Sequence, residues 1–334
     1  MPPGYTAVLT KTLKLGTRGS QLALWQARAV ASALAIAETP VELVVIKTAG
    51  DRLQDVPLDE AGGKRLFVKD LEDALLRGEI DLAVHSAKDL PSDIPEGLSI
   101  AATLPREDPR DALVLPAGAA EGAAASFDAT VAAFSAGAPR RIGTGSVRRS
   151  AQLAPLMPAA TFLPVRGNVD TRLRKLDEGQ FDGLVLACAG LRRLGLGHRI
   201  SLALPADRCV PAPGQGTIAI EARGGEAARL LASVHDAATG AMLQAERALL
   251  QALGGDCQVP LGALARVNGA GMELDALVCS LDGRRTVRRR ARGSAAHAAD
   301  LGRRVADELL LAGAGAILED VRRAVPGTGH TEGA

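Results

Sequence analysis

Lys88 and Asp89 stand side by side where the apolar run Ile80 to Ser86 ends, and Leu90 and Pro91 follow at once. A carboxylate there could stabilise positive charge on a bound molecule, while the neighbouring ammonium could hold an acidic group. The remaining candidates are mostly cations and hydroxyls. Arg18 with Ser20, then Thr144, Ser146, Arg148 and Arg149, then Arg166 and Arg172, and finally Arg193 each lie where an apolar run gives way to a helical one. Guanidinium groups bind carboxylates through paired hydrogen bonds, so a row of them points to a ligand with several acidic groups. Plainer readings exist for each: Asp89 as the cap of a turn, any single arginine as part of a solvated helix face. No second carboxylate of comparable placement stands out.

The elements that must position these residues alternate between strand and helix. Ile80, Leu82 and Val84 alternate as in a buried strand, which puts Ser86, Lys88 and Asp89 at the carboxyl edge of a sheet, where α/β proteins bind ligands. Lys14 to Thr17 reads as a first strand, with Ser20 capping a helix from Gln21 to Ala37. Val41 to Lys47, Leu98 to Leu104 and Ala112 to Leu115 are further strands, and a helix from Arg65 to Arg77 precedes the Asp89 run. The polar stretch Asp51 to Lys64 could be a lid. It is no phosphate-cradling loop, because Leu58 stands where the first glycine belongs and Arg65 replaces the hydroxyl residue.

A small-residue stretch from Ala117 to Ala138, with room for a short helix in its second half, separates this region from a repeat of the pattern. Arg140 opens a strand that runs to Thr144-Gly145-Ser146 and a helix ending near Met157. Arg148 occupies the third-glycine position of a dinucleotide fingerprint and no acidic residue ends the next strand, so an anion site suited to carboxylates is the better reading. Strand Thr161 to Val165 leads to Arg166 and a helix to Asp177, and strand Leu184 to Ala187 leads to a turn from Ala189 to Arg193. After the Pro- and Gly-rich Val210 to Gly216, strand Thr217 to Ala222 is expected to return to the first sheet. A helix from Glu226 to Asp236 follows. The helix Gly240 to Leu253, strands Leu261 to Arg266, Glu273 to Ser280 and Thr286 to Arg292, and two helices over Ala296 to Arg323 read as a separate α+β unit.

The expected fold class is therefore α/β: two lobes with mostly parallel sheets and a smaller C-terminal α+β domain. Residues 1–105 with 213–236 form the first domain, 106–212 the second and 237–325 the third, with 326–334 as a disordered tail.

Composition narrows the function further. The 334 residues are 47% hydrophobic with net charge +1, so overall charge names no partner. No run is long or apolar enough for a membrane span and the N-terminus lacks a secretory h-region, so a cytoplasmic protein is expected. Cys188, Cys209, Cys257 and Cys279 are too scattered for a disulfide framework or zinc, and no metal is expected. Aromatic content of 2% and an unaccompanied Arg284 to Arg292 run argue against nucleic acid and for an outward-facing strand pair.

Taken together, LGTRGSQLALWQ (15–26), GGKRLFVKDLEDAL (62–75), DLAVHSAKDLP (81–91), REDPRDAL (106–113), IGTGSVRRSAQL (142–153), RGNVDTRLRKL (166–176), AGLRRLGL (189–196), APGQG (212–216) and GGDCQVPLG (254–262) resemble the porphobilinogen deaminase, or hydroxymethylbilane synthase, family. The resemblance spans the chain from its first strand to its last domain. It implies three domains, the first two like the lobes of periplasmic solute-binding proteins, in a monomeric enzyme. It further implies that four porphobilinogen molecules are joined head to tail with release of ammonia, primed by a dipyrromethane held in thioether linkage by Cys257. Asp89 matches the catalytic aspartate, which would stabilise the azafulvene cation left when ammonia departs. Arg18, Ser20, Ser86, Lys88, Thr144, Ser146, Arg148, Arg149, Arg166, Arg172, Arg193 and Gln215 match substrate and cofactor contacts. Lys64 belongs to the mobile loop, where Glu60 replaces a lysine of some relatives. A two-lobed receptor for a polyanionic solute is the competing class, although the Cys257 motif would then have no purpose.

Overall fold

The computed structural model describes residues 12–48, 65–118, 126–136, 138–254 and 259–324. Cys257, Lys64, Glu60, the stretch read as a lid and the C-terminal tail lie outside the described residues.

Two five-stranded sheets share one topology. In the first, β1 (Leu13–Thr17), β2 (Val41–Val45) and β3 (Leu82–Ser86) run parallel, and β10 (Ile218–Arg223) runs against them between β3 and β4 (Leu98–Thr103). In the second, β6 (Arg140–Gly143), β7 (Ala160–Leu163) and β8 (Gly183–Ala187) run parallel, and β5 (Asp111–Val114) runs against them between β8 and β9 (Leu202–Ala203). The odd strand of each sheet is the one that enters just after the chain crosses between sheets. The expected mostly parallel α/β lobes are thus observed, with β10 returned to the first sheet.

Helices α1 (Gln21–Ile36) and α2 (Arg65–Leu76) belong to the first sheet. Ser20 ends in extended backbone and its hydroxyl accepts from the Ala23 amide at 3.3 Å, which fixes where α1 begins. Its Val30 and Leu34 pack with Leu15, Leu82 and Ile220 in one core. Around the second sheet lie α3 (Phe127–Ser135), α4 (Val147–Leu153), α5 (Val169–Asp177) and α6 (Cys188–Arg193). The last corrects the turn expected over Ala189 to Arg193: Cys188 and Leu191 are buried on one face, and that burial outweighs the weak helix preference of Gly190. The helix expected from Glu226 to Asp236 is also shorter. α7 (Glu226–Leu230) passes into a 3₁₀ turn, because Asp236 must leave helical geometry to cap the next helix through the Thr239 amide.

The C-terminal unit is an antiparallel meander, β11 (Leu261–Asn268), β12 (Gly271–Cys279) and β13 (Thr286–Ser294), covered by α8 (Ala237–Ala252), α9 (Ala298–Leu311) and α10 (Ala314–Ala324). Leu249, Leu274, Val305, Leu309 and Ile317 form its core. Its basic run is a cross-strand ion ladder, with Arg288 and Arg290 on Asp275 at 2.6 and 2.8 Å and Arg292 on Glu273 at 3.0 Å.

Glu246 of α8 joins the three units. Its buried carboxylate accepts from Arg106 at 2.7 and 3.2 Å, from the Gly214 amide at 2.6 Å and from the Ala265 amide at 2.7 Å. Arg106 lies on the outgoing crossing, Gly214 on the returning one and Ala265 on β11. Removing that acceptor strands a buried guanidinium and two amides. Glu246→Leu should therefore cost about 3 to 5 kcal/mol of stability, against less than about 1 kcal/mol for Arg303→Ala, which breaks only an exposed ion pair. Urea denaturation of the two variants beside the parent checks this.

Candidate active site

The Asp89 turn is held from several directions. β3 ends at Ser86, residues Ala87–Asp89 form a single 3₁₀ turn, and Pro91 prevents a helix from continuing. Gln26 on α1 donates to the Ser86 hydroxyl at 2.9 Å, and the Ala87 amide donates to the Thr217 carbonyl at 3.0 Å. Gly214 has φ +74°, and a Cβ on it would lie 3.0 Å from the Ala87 carbonyl carbon, so the returning crossing packs directly on this turn. Lys88 and Asp89 are left half-buried at the sheet edge. β1 ends beside β3, so Arg18 and Ser20 share that edge.

The second sheet presents its own carboxyl edge. Thr144 and Ser146 follow β6, with the Thr144 hydroxyl accepting from the Ser146 amide at 3.3 Å. Arg166 follows β7, and Arg172 on α5 donates to the Gly167 carbonyl at 2.8 Å. Burial, reinforced by the charges of Arg149 and Arg166, lowers the Arg172 guanidinium to about 10, while the Asp89 carboxylate acts in the opposite sense. Asp89 of one lobe and Arg149, Arg166 and Arg172 of the other therefore share one electrostatic environment. Arg149 is paired with Asp111, and the charges of Arg149 and Arg166 acting on the buried Arg172 make this edge suited to an acidic ligand.

Other expected contacts have different partners. Arg148 donates to Asp111 at 2.8 Å and to the Val210 carbonyl at 2.6 Å, and Arg149 reaches the other Asp111 oxygen at 2.8 and 2.9 Å. Gln215 donates to Asp111 at 2.9 Å and to the Pro109 carbonyl at 2.6 Å. Arg193 donates to the Gly216 carbonyl at 2.6 Å and lies 5.8 Å from the Trp25 ring centre. These geometries give Arg148, Arg193 and Gln215 framework bonds, with the Arg148 Nε and the Gln215 Oε1 left buried and unpartnered.

Asp111 is the second carboxylate that went unrecognised in the sequence. It opens a strand, where an acidic residue reads as surface, and only the fold surrounds it with arginines. Burial by itself would raise its pKa, but the charges of Arg148 and Arg149 outweigh burial and hold it well below the usual carboxylate range. Gln26, Glu246 and Arg247 were missed for a similar reason, since each looks like an ordinary polar position on an amphipathic helix. Cys188 and Cys209 are buried thiols pushed up to about 12 chiefly by burial, and Cys279 is likewise buried and raised.

Residues 13–230 match the family model described as porphobilinogen deaminase, dipyromethane cofactor binding domain, and residues 241–311 match its C-terminal domain. This chain belongs to the porphobilinogen deaminase family. Porphobilinogen deaminase of Trichlorobacter lovleyi is 48% identical over 316 residues, covering 93% of this chain and 97% of the relative. That of Syntrophomonas wolfei is 47% identical over 317 residues, covering 94% and 100%. The methionine-binding protein MetQ overlaps 67% of this chain and 89% of its own at 13% identity and a TM-score of 0.41, a likeness too loose to bear on function. Membership of the porphobilinogen deaminase family makes the protein a hydroxymethylbilane synthase, a transferase of tetrapyrrole biosynthesis that joins four porphobilinogen molecules with release of ammonia and uses a dipyrromethane cofactor. Among the described residues no helix is long and apolar enough to cross a membrane.

The Asp111 cluster makes a pH prediction. Its folded pKa is depressed, so its contribution to stability is complete above the unfolded value of about 3.9 and is lost as pH falls from there toward the lower folded value. Asp111→Asn should lower stability at neutral pH by about 3 kcal/mol or more, because two buried guanidiniums lose their counter-charge. It should also flatten the acid limb below about pH 4 in denaturation measured across pH.

Proposed function

We propose that the reaction takes place between the two sheet edges, with Asp89 as the catalytic carboxylate and Cys257 as the point of cofactor attachment. The observation that carries this reading is the placement of Asp89, half-buried at the carboxyl edge of the first sheet on a turn held at Ser86 and Ala87 by Gln26, Thr217 and Gly214, with its charge felt by Arg172 of the other lobe. Porphobilinogen carries an acetate and a propionate, and a dipyrromethane carries the same pair on each ring. Arg166 and Arg172 suit those carboxylates by charge and by fork geometry, Arg149 adds positive charge while its own fork is held by Asp111 and the Val185 carbonyl, and Arg18, Lys88 and the hydroxyls of Ser20, Thr144 and Ser146 lie at the same edges. When bound, the dipyrromethane supplies the pyrrole carbon to which the chain is extended.

Loss of ammonia from porphobilinogen leaves an azafulvene cation. Asp89 offers a fixed negative charge at the end of β3 for that cation and an acceptor for pyrrole N–H groups. Arginines around it restrain acidic side groups without competing for the cation. The described cysteines support the choice of Cys257, because all three are buried with raised pKa and are poor nucleophiles. Their free thiols also fit a reducing, cytoplasmic setting. Both halves of the proposed site come from one chain, which supports a monomer.

Intact mass and kinetics test the reading. Cys257→Ser protein should have the bare polypeptide mass and no activity; an adduct persisting on that variant would refute the attachment site. Asp89→Asn keeps side-chain size and removes charge, so single-turnover chemistry on cofactor-loaded protein should fall by about 100-fold or more while folding is retained. Arg172→Leu should cost about 2 to 5 kcal/mol in kcat/KM. Exposed Arg289→Leu should cost less than about 0.5 kcal/mol, and equal losses would place the site elsewhere.

A further inference from the structure

The C-terminal unit grips the far end of the Asp89 turn. Arg247 on α8 donates through Nη1 to the Pro91 carbonyl at 2.9 Å and through Nη2 to the Ser92 carbonyl at 2.8 Å. One turn further along the same helix, Gln251 donates to the Ser92 carbonyl at 2.8 Å. Three side-chain bonds thus fall on two consecutive carbonyls immediately beyond Asp89 and Leu90. A guanidinium fork can span both carbonyls in one fixed geometry, which a lysine ammonium cannot.

Two carboxylates lie within electrostatic reach of Arg247. Burial lowers its pKa, and the charges of Glu221 and Asp93 favour its protonated form. Glu221 is fully buried on β10 and lies 2.9 Å from His85 on β3, the strand that ends in the Asp89 turn. α8 then ends at Ala252, just before the Gly254-Gly255-Asp256-Cys257 sequence. One helix therefore holds the catalytic turn with its side chains and leads in sequence to the cysteine proposed to carry the cofactor.

We infer that Arg247, assisted by Gln251, is a positioning residue for the reaction: it holds the Asp89 turn, and with it the carboxylate, in a fixed place against α8. Arg247 acts through the backbone of residues 91–92 and has no role in binding substrate carboxylates. The claim rests on the assignment of Asp89 as the catalytic carboxylate. It makes a kinetic distinction, because displacement of a reacting-centre group by a fraction of an ångström lowers turnover while leaving affinity for the acidic side groups in place.

The experiment compares Arg247→Leu, Arg247→Lys and Gln251→Ala holoenzymes, each with Asp89 intact and as Asp89→Asn. Arg247→Leu should lower kcat by about 10-fold or more with KM for porphobilinogen changed less than about 3-fold, and the Lys variant should recover only part of the loss. Gln251 is exposed, so its variant folds even if Arg247→Leu does not; it should lose about 2- to 5-fold in kcat. Intact mass should show the dipyrromethane retained, and hydrogen exchange over residues 86–93 should accelerate. In the Asp89→Asn background the Arg247 substitutions should add less than about 3-fold, since the group they position is already gone. A slow Asp89→Asn enzyme whose rate drops by the full factor again on adding Arg247→Lys or Arg247→Leu would overturn the positioning claim alone, as would a raised KM at unchanged kcat. An Asp89→Asn enzyme of normal rate would overturn the assignment of Asp89 and the positioning claim with it.

Discussion

A buried carboxylate is tolerated only while its donors stay in place, and Glu246 imposes that condition on three segments at once. Arg106 of the outgoing crossing, Gly214 of the returning crossing and Ala265 of the meander all donate to it. The energetic weight lies in the penalty for breaking the set, since each donor left behind would be buried and unsatisfied. Both crossings are consequently fixed against α8, and the two sheets are joined through short segments tied to that helix. Gly214 passes this constraint on to the Asp89 turn, because its missing Cβ lets the returning chain lie against Ala87.

The second sheet uses a related arrangement with a different balance of charge. Asp111 neutralises only part of the charge on Arg148 and Arg149, leaving the cluster net positive even before Arg166 and Arg172 are considered. Burial first, and then the like charges of Arg149 and Arg166, depress the Arg172 guanidinium. Such an edge is the proposed seat of a ligand rich in carboxylates, in keeping with a family whose substrate adds two acidic groups with every ring. In the proposed mechanism Asp89 of the other lobe is the group that would stabilise charge of the opposite sign.

Arginines of similar appearance in the sequence thus have separate duties in the fold. Arg148 and Arg193 are spent on carbonyls of the returning crossing, Arg106 on Glu246 and Arg247 on the carbonyls beyond Asp89. Arg288, Arg290 and Arg292 are satisfied by acids on the adjacent strand. Arg172 is set apart by feeling the charge of Asp89 from the opposite lobe alongside those of Arg149 and Arg166.

Much of this was legible in the sequence, because the period of apolar residues directly reports which faces are buried. The alternation of Ile80, Leu82 and Val84 located β3 and hence the edge position of Asp89, while Ser20 marked the start of α1 and the return of β10 to the first sheet was foreseen. The GGDC and DLAVHSAKDLP motifs carried the chemistry by resemblance. Tertiary structure decided which polar groups meet. Asp111 and Arg148 are joined by a 2.8 Å bond across 37 positions, and Arg247 and Pro91 by a 2.9 Å bond across 156. Local periodicity carries no information about such pairs, since a buried ionic residue has the same spacing on its helix or strand as a solvated one. Its partner is chosen only when distant segments pack and water is removed from between them.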